Sequence, residues 1–440
     1  MRATPRGRVY KWIPDPTNTL GGRVALSIAP LLRLDEEPTP RLSGRYVRVR
    51  NGGAVYEPNP TGDRVRAVCI GDAQPNASGD FIFVPGCGGG RMDKVMFAEP
   101  DFRVRYIEAS HFGEVNTYFH LDRIGAYVDE LLRDLGSPSL PRVTAVVNAH
   151  HAATENNGLR DGLYRPEGGR WLAFQGGHYR LPSRRYDVPE FAPLSPSGEI
   201  HLGPGRQLLH YGALVEQTGG LYRARYRANA SHNAGIIYHE YGHHITRHTA
   251  DFQANALRPP DQQKNRKSAI DEGTCDYWAA AMLGTPHIWA WHQRHDEQKI
   301  HPRSLSSSKT MADYDSGPKA DEHLNGTIWG AALWDLRTQL AATMPDGSRQ
   351  ADLLVLKALL LIGKLTGPEN GQDRKWLRRV RASYAVGLAA LLQADELLNA
   401  SRNRSTILAC FTKRGIEPEP AVVSRQDGNL RLTGACMASK

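Results

Sequence analysis

Cysteine is scarce in this chain. Five residues in 440, Cys69, Cys87, Cys275, Cys410 and Cys436, form no C-x-x-C pair. That excludes a disulfide-dense scaffold and a cysteine-ligated metal module, and the odd count leaves at least one thiol without an intrachain partner even if Cys69 and Cys87 bridge. Long apolar runs are missing too. The richest, Leu353 to Ile362, is interrupted by Lys357 and falls short of the roughly 18 residues a membrane helix needs. Met1 to Tyr10 is basic and lacks an apolar centre, so no export leader is visible. There is no excess of acid: 55 basic and 46 acidic residues give a formal charge of +9, spread through the sequence. The densest basic cluster, Arg374 to Arg381, has the spacing of a helix with a solvated basic face, and with no recognition module or basic tail beside it, no nucleic-acid partner is expected. The glycine cluster Pro85 to Gly90 is followed by no Gly-Lys-Ser/Thr and reads as a turn rather than a phosphate loop. No G-x-S-x-G elbow, Walker motif or internal repeat is present. Soluble globular composition, 40% hydrophobic and 23% charged, is what remains.

Against that background the stretch Ile236 to His244 stands out, because it contains the pattern H-E-x-x-H as His239, Glu240 and His243. On a helix, residues four apart differ by about 40° in azimuth, so the two imidazoles project side by side as metal donors. Glu240 falls to one flank, where a carboxylate reaches water beside the metal without being a ligand. Zinc lowers the pKa of such a water and polarises a carbonyl, while the carboxylate takes the proton. Ser231 and Asn233 are the candidate caps of this helix. His248 is one residue out of register for a further histidine ligand and reads as a helix-surface histidine. The adjacent His150 and His151 point apart on any regular element and do not share a metal.

A second helix is expected from Ala269 through Trp278 into Ala279-Ala280-Ala281-Met282-Leu283. Glu272 and Asp276 are four apart on it, so one carboxylate can ligate the metal while the other accepts from a ligand imidazole N–H. This resembles the gluzincin metallopeptidase pattern of two histidines plus a glutamate. Gly273-Thr274-Cys275-Asp276 also resembles the start of the aspzincin element, in which the aspartate is the ligand; Ala279 and Ala280 stand where that element has Tyr and Gly, which favours Glu272.

A third stretch, Asp321 to Gly330 followed by Ala-Ala-Leu-Trp-Asp-Leu-Arg, resembles the histidine segment of thermolysin-like and fungalysin-like metallopeptidases. The resemblance spans about residues 106 to 415, and the fungalysin-like branch fits best on H-E-Y-G-H, E-G-x-x-D and L-W-D-L-R. It implies His239, His243 and Glu272 as Zn2+ ligands, Glu240 as general base, and His323 as oxyanion stabiliser with Asp315 or Asp321 orienting it. It further implies Asp276 and Asp271 behind His239 and His243, Arg303 on a substrate carbonyl, polypeptide substrates and an extracytoplasmic location. One departure stands out. Many thermolysin-like enzymes place a tyrosine between the second histidine and the glutamate ligand, and here the interval from His244 to Asp271 has none, leaving His323 alone or with Tyr238, Tyr241 or Tyr277.

The expected fold is α+β. Residues 1–105 read as a β-rich accessory or propeptide-like region, with strands around 45–50, 64–68 and 81–84. From 106 to 248 the resemblance implies a mixed α/β catalytic lobe ending in the metal-binding helix, with a helical stripe over Tyr118, Leu121, Ile124, Tyr127, Val128, Leu131 and Leu132 and strands at 143–147 and 199–202. Residues 249–415 form a helical lobe, with helices at 328–343, 351–365, 375–398 and 405–413, and 416–440 a loose tail. Together these make a thermolysin-like two-lobed zincin, a zinc-dependent endopeptidase. The reading from another class is a catalytically silent binding or adhesion protein on the same scaffold.

Overall fold

The computed structural model describes residues 3–58, 65–85, 102–149, 176–181, 195–203, 229–289, 302–367 and 374–433, apart from single positions 16, 19, 38, 39, 260, 261, 264, 265 and 426. For 54–58, 65–69 and 102–106 it describes the backbone alone. The histidine pair at 150–151 and the glycines at 86–90 lie outside the described residues. Two compact units emerge: one takes in the described residues up to 126 and from 141 to 240, the other 127–140, 241–289 and 302 onward.

In the first unit, β1 (Arg6–Pro14) and β2 (Gly22–Pro30) form an antiparallel hairpin. A four-stranded sheet follows, in the order β3 (Val47–Asn51), β6 (Val143–Val147), β8 (Glu199–Leu202), β7 (Gly177–Arg180). Its first three strands run parallel and β7 returns antiparallel on the edge. The position of each strand follows from its pattern. β3 alternates Val and Arg, with Val47 and Val49 buried and the arginines out, whereas the inner strand β6, Val-Thr-Ala-Val-Val, is nearly continuous in its burial. β4 (Ala54–Pro58) and β5 (Val65–Cys69) make a second antiparallel pair. The strand expected at 81–84 reduces to a single bridge, Phe81 to Gly7, at which the Phe81 side chain is wholly buried. Helix α1 (Phe102–Asp134) buries Phe112, Val115, Tyr118, Leu121, Ile124, Val128, Leu131 and Leu132, the expected stripe extended by two residues at its start; the exception is Tyr127, which is only half-buried and sends its hydroxyl to Asp352.

The second unit is mainly helical. After α2 (Ala234–His248), whose last turns belong to it, come α3 (Ala269–Leu283), α4 (Glu322–Thr343), α5 (Gly347–Gly363), α6 (Arg374–Arg381), α7 (Tyr384–Asn399) and α8 (Arg404–Thr412). The single helix expected over 375–398 is two. Ser383 takes an extended conformation as the N-cap of α7, and Arg381 turns inward to donate to the carbonyls of Asp251 and Gly363, so the basic face is not wholly solvated. Within the tail, β9 (Val422–Ser424) pairs with β10 (Leu430–Leu432), which buries Leu430 and Leu432 and is preceded by Gly428 at φ +76°. Among the described residues no helix is long and apolar enough to cross a membrane.

α3 and α4 pack backbone to backbone. A Cβ on Gly330 would stand 2.7 Å from the Gly273 carbonyl oxygen, one on Gly326 would stand 2.7 Å from the Gly273 nitrogen and from the Ala269 carbonyl oxygen, and one on Gly273 would strike the Gly326 carbonyl. Gly326 and Gly330, four apart, lie on one face of α4, so this close approach needs all three glycines.

Candidate metal centre

Helix α2 starts from a built turn. Asn229 accepts from Ser231 N–H, and the Asn233 side chain then takes the N–H of Ile236 at 3.2 Å, so of the two candidate caps Asn233 is the one that caps the helix. Ile236, Ile237, Tyr238, Tyr241 and Ile245 are buried, which fixes the rotation of the helix about its axis and so the direction of its histidines. His239 and Glu240 are also buried, at 4% and 5% exposure. Glu240 lies against the edge strand β7, where a Cβ on Gly177 would stand 2.8 Å from its Oε1. Gly242 allows α3 to approach, since a Cβ there would stand 2.7 Å from the Cα of Cys275.

His243 is held from behind. Its Nδ1 lies 3.3 Å from Asp271 Oδ2 and 3.3 Å from the Cys275 thiol, and Thr246 Oγ1 donates to Asp271 Oδ1 at 2.7 Å. A carboxylate on Nδ1 favours the tautomer that leaves the Nε2 lone pair available, and Nε2 lies 3.7 Å from Glu272 Oε2. One donor atom each from His239, His243 and Glu272 lies within 4.8 Å of the others. Two imidazoles and a carboxylate that is 1% exposed form a donor set suited to a divalent metal with an open coordination position. A second grouping, His243, Asp271 and Cys275, shares that imidazole.

His323 stands in the first turn of α4. Asp321, the N-cap, accepts from the His323 backbone N–H at 3.0 Å and from its ring Nδ1 at 2.8 Å. Burial pushes the Asp321 carboxyl upward, but these hydrogen bonds prevail and hold it below the ordinary carboxylate range. Asp315 is engaged elsewhere: its carboxylate accepts from Gly317 N–H, and its backbone is bracketed by the Asn325 side chain. His323 Nε2 faces Glu272 Oε2 at 3.3 Å and Lys267 Nζ at 3.0 Å. The neighbouring Glu322 carboxyl is raised, first by burial and then by the charge of Glu272.

Arg303 is not a solvated surface residue. Its guanidinium grips both oxygens of the fully buried Asp276, at 2.7 and 3.2 Å, and lies 4.5 Å over the Trp289 ring. Two of the three candidate tyrosines have engaged hydroxyls. Tyr238 donates to His120 Nδ1 at 2.7 Å, and Tyr277 donates to Asp352. Tyr241 is buried with its ring 5.3 Å from that of His244. Sequence reasoning missed Lys267, Cys275 and Gly177. Cys275 carries the only signal of the three, since it lies four residues after Asp271 and three after Glu272 on the same helix.

The sequence was also compared with known proteins. The fungalysin metallopeptidase (M36) family model matches residues 60–419. The probable extracellular metalloproteinase 3 of Trichophyton verrucosum (strain HKI 0517) is 25% identical over 195 residues, covering 42% of this chain and 30% of that protein. Extracellular metalloproteinase 3 of Trichophyton tonsurans is 24% identical over 216 residues, covering 46% and 33%. Extracellular metalloproteinase mep of Aspergillus terreus (strain NIH 2624 / FGSC A1156) is 27% identical over 205 residues, covering 44% and 32%. The chain thus spans about a third of the length of these relatives. The family match covers most of the chain, and the protein belongs to the fungalysin metallopeptidase family.

Proposed function

We propose that this chain is a zinc-dependent metalloendopeptidase acting on polypeptide substrates, with His239, His243 and Glu272 as the residues that hold the metal. The observation that carries the reading is the convergence of those three donor atoms, with Glu240 on the same helix. Family membership supports a catalytic metal, and the names of the extracellular relatives support secretion. A thermolysin-like arrangement of two lobes, with an accessory region over residues 1–105, belongs to the same proposal. Glu272 is preferred to Asp276 as third ligand because Asp276 is the partner of Arg303.

Zinc, when bound, would polarise the scissile carbonyl and acidify a water beside it. Glu240, held against the backbone of β7, takes the proton of that water as it attacks and passes it to the departing amine nitrogen. Asp271, braced by Thr246, orients His243. Asp276 is assigned to His239, and Arg303 contributes by fixing Asp276 as well as by the substrate contact expected from sequence. His323, oriented by Asp321, belongs to the group that meets the developing oxyanion.

The direct test is Glu240→Gln. It should retain one zinc per chain by elemental analysis while cleavage of denatured casein falls by about 10²- to 10⁴-fold. Undiminished, chelator-sensitive cleavage by that variant would sink the mechanism. Zinc binding without any cleavage by the unaltered chain would favour the silent scaffold instead.

A further inference from the structure

The basic face of α6 meets further arginines from the stretch before α3. Arg374, Arg378 and Arg381 are spaced four and three apart, which puts them on one face of the helix. Arg381, the buried member, donates from Nη1 to the Asp251 carbonyl at 3.2 Å, so this face is tied to the stretch that begins at Asp251. The same stretch ends in Arg258, whose Nε is shut off from solvent and has no hydrogen-bond partner among the described residues. Burial lowers the Arg258 guanidinium first, and the charges of Arg374, Arg378 and Arg266 lower it further. Asp251 opposes them, but its carboxylate is already engaged, accepting from Asn255 N–H at 2.9 Å, Ala256 N–H at 2.8 Å and Arg247 at 3.4 Å. The ion pairs to Asp251 belong to Arg247 and Arg381. Arg258, Arg266, Arg374 and Arg378 have none among the described residues.

We propose, on the basis of the peptidase reading, that Arg258, Arg266, Arg374 and Arg378 form a binding subsite for the carboxylate side chains of an acidic stretch in the polypeptide substrate. Three features set the group apart from an ordinary solvated face. Like charges four apart on a helix, as Arg374 and Arg378 are, destabilise it unless an acid relieves them, and an acidic segment supplies that relief. All four are arginines, whose forked N–H groups match a carboxylate in a paired geometry that an ammonium lacks. Arg266 also adjoins Lys267, whose ammonium lies 3.0 Å from the His323 ring, so the basic group is joined to the proposed catalytic residues by one piece of chain. A single-stranded nucleic acid fits less well. Trp376, the aromatic residue of α6, is turned against Gly367, where a Cβ would stand 2.3 Å from its ring, and bases have no face there on which to stack.

The test uses the zinc-loaded full chain and two peptides that share one cleavable core, one flanked by a run of glutamates and the other by glutamines. In dilute salt, kcat/KM should be about 10-fold higher for the glutamate peptide, mainly through KM, and the preference should shrink to within about twofold at about 1 M salt. Arg374→Gln/Arg378→Gln should remove most of the preference, and Arg258→Gln should reduce it by about two- to fivefold. Arg402→Gln/Arg404→Gln removes the same charge from the other end of α7 and should leave the preference intact. Binding is read separately, by fluorescence anisotropy of a labelled oligoglutamate peptide on the metal-free chain, and should weaken in Arg374→Gln/Arg378→Gln. Equal cleavage of the two peptides by the unaltered chain would overturn the proposal, as would an equal loss of preference in the Arg402/Arg404 variant. So would a single-stranded oligonucleotide that binds more tightly than oligoglutamate and is released by Arg374→Gln/Arg378→Gln. If the unaltered chain cleaves neither peptide, the peptidase reading fails, and oligoglutamate binding still decides whether these arginines hold carboxylates.

Discussion

The sheet side of the first unit and the α3–α4 pair of the second are held together by opposite means. Around α1, polar side chains reach partners far away in sequence: Asn51 donates to Ser110 and Glu114, Glu114 accepts from Ala73 N–H, and Asn116 joins Tyr10 N–H to the Ser231 carbonyl. Asn229 joins the Asn148 side chain to the turn before α2. His120 bridges Tyr238 O–H and the Tyr10 carbonyl. At α3–α4 the side chains have been removed, and Gly273, Gly326 and Gly330 bring the two backbones together. The first region is broken by deleting a group or changing its charge, because each buried donor and acceptor left behind loses its partner. The second is broken by adding a methyl group.

The largest effect is expected from Gly273→Ala. In an ordinary helix the change would stabilise by about 0.5–1 kcal/mol. Here the new Cβ meets backbone atoms, Gly326 C and Gly330 N, at 3.0 Å, and backbone cannot rotate aside. Overpacking of this kind costs about 1–3 kcal/mol or more, so the thermal midpoint should fall and zinc content with it as Glu272 is displaced. A more stable variant would break the comparison.

Acid should act next, and on the other region. Burial pushes His120 down to about 3, below its unfolded value of about 6.5. The unfolded chain therefore binds the extra proton in between. This group's contribution is complete above about pH 6.5 and is lost as pH falls toward 3. Denaturant titrations should show about 2 kcal/mol less stability at pH 5 than at pH 7 from this residue, a loss that His120→Gln abolishes. Glu114, raised by burial, works with the opposite sign and loses stability as pH rises through its folded value. A stability curve with the same acid slope in His120→Gln would remove His120 from the account.

Gly177→Ala sharpens the contrast with the smallest change in stability. Its added methyl meets side chains, Glu240 and the buried Ile236, rather than backbone. Folding should lose about 1 kcal/mol, the low end of overpacking, because side chains give way more readily than backbone, while casein cleavage falls several-fold because the proposed base has moved. Equal losses of folding and activity would show that β7 itself had been displaced.

The legible part of the site is the part written in helical period. His239 with His243, and Glu272 with Asp276, are each four apart, and that spacing alone puts each pair on one face. The buried stripe of α1, Tyr127 apart, was legible by the same means, and the strands at 143–147 and 199–202 as short runs of strand composition. Partners across elements were not. Asp315 and Asp321 both precede His323, by eight and by two residues, and the choice is made by Asp321 becoming the N-cap. Arg303 was visible as a charge, yet its partner Asp276 lies 27 residues away. Lys267 sits in the polar run Asn265-Arg266-Lys267, which gives no sign of the imidazole 56 positions on. The break in the helix expected at 375–398 was hidden because Ala382-Ser383 is compatible with helix, and tertiary bonds of Arg381 decide it.

The glycine contact also bears on how this protein could be recombined with its relatives. Gly273 is the residue after the proposed ligand Glu272, and Gly326 follows His323 by three, so the two backbones carry metal chemistry and oxyanion chemistry as one cassette. A chimera with its crossover between Leu283 and Glu322 would join an α3 and an α4 whose backbones had never been fitted to each other. Exchange of residues 269–343 as a block should keep zinc content and cleavage beside the resident α2, and exchange of either helix alone should lose both.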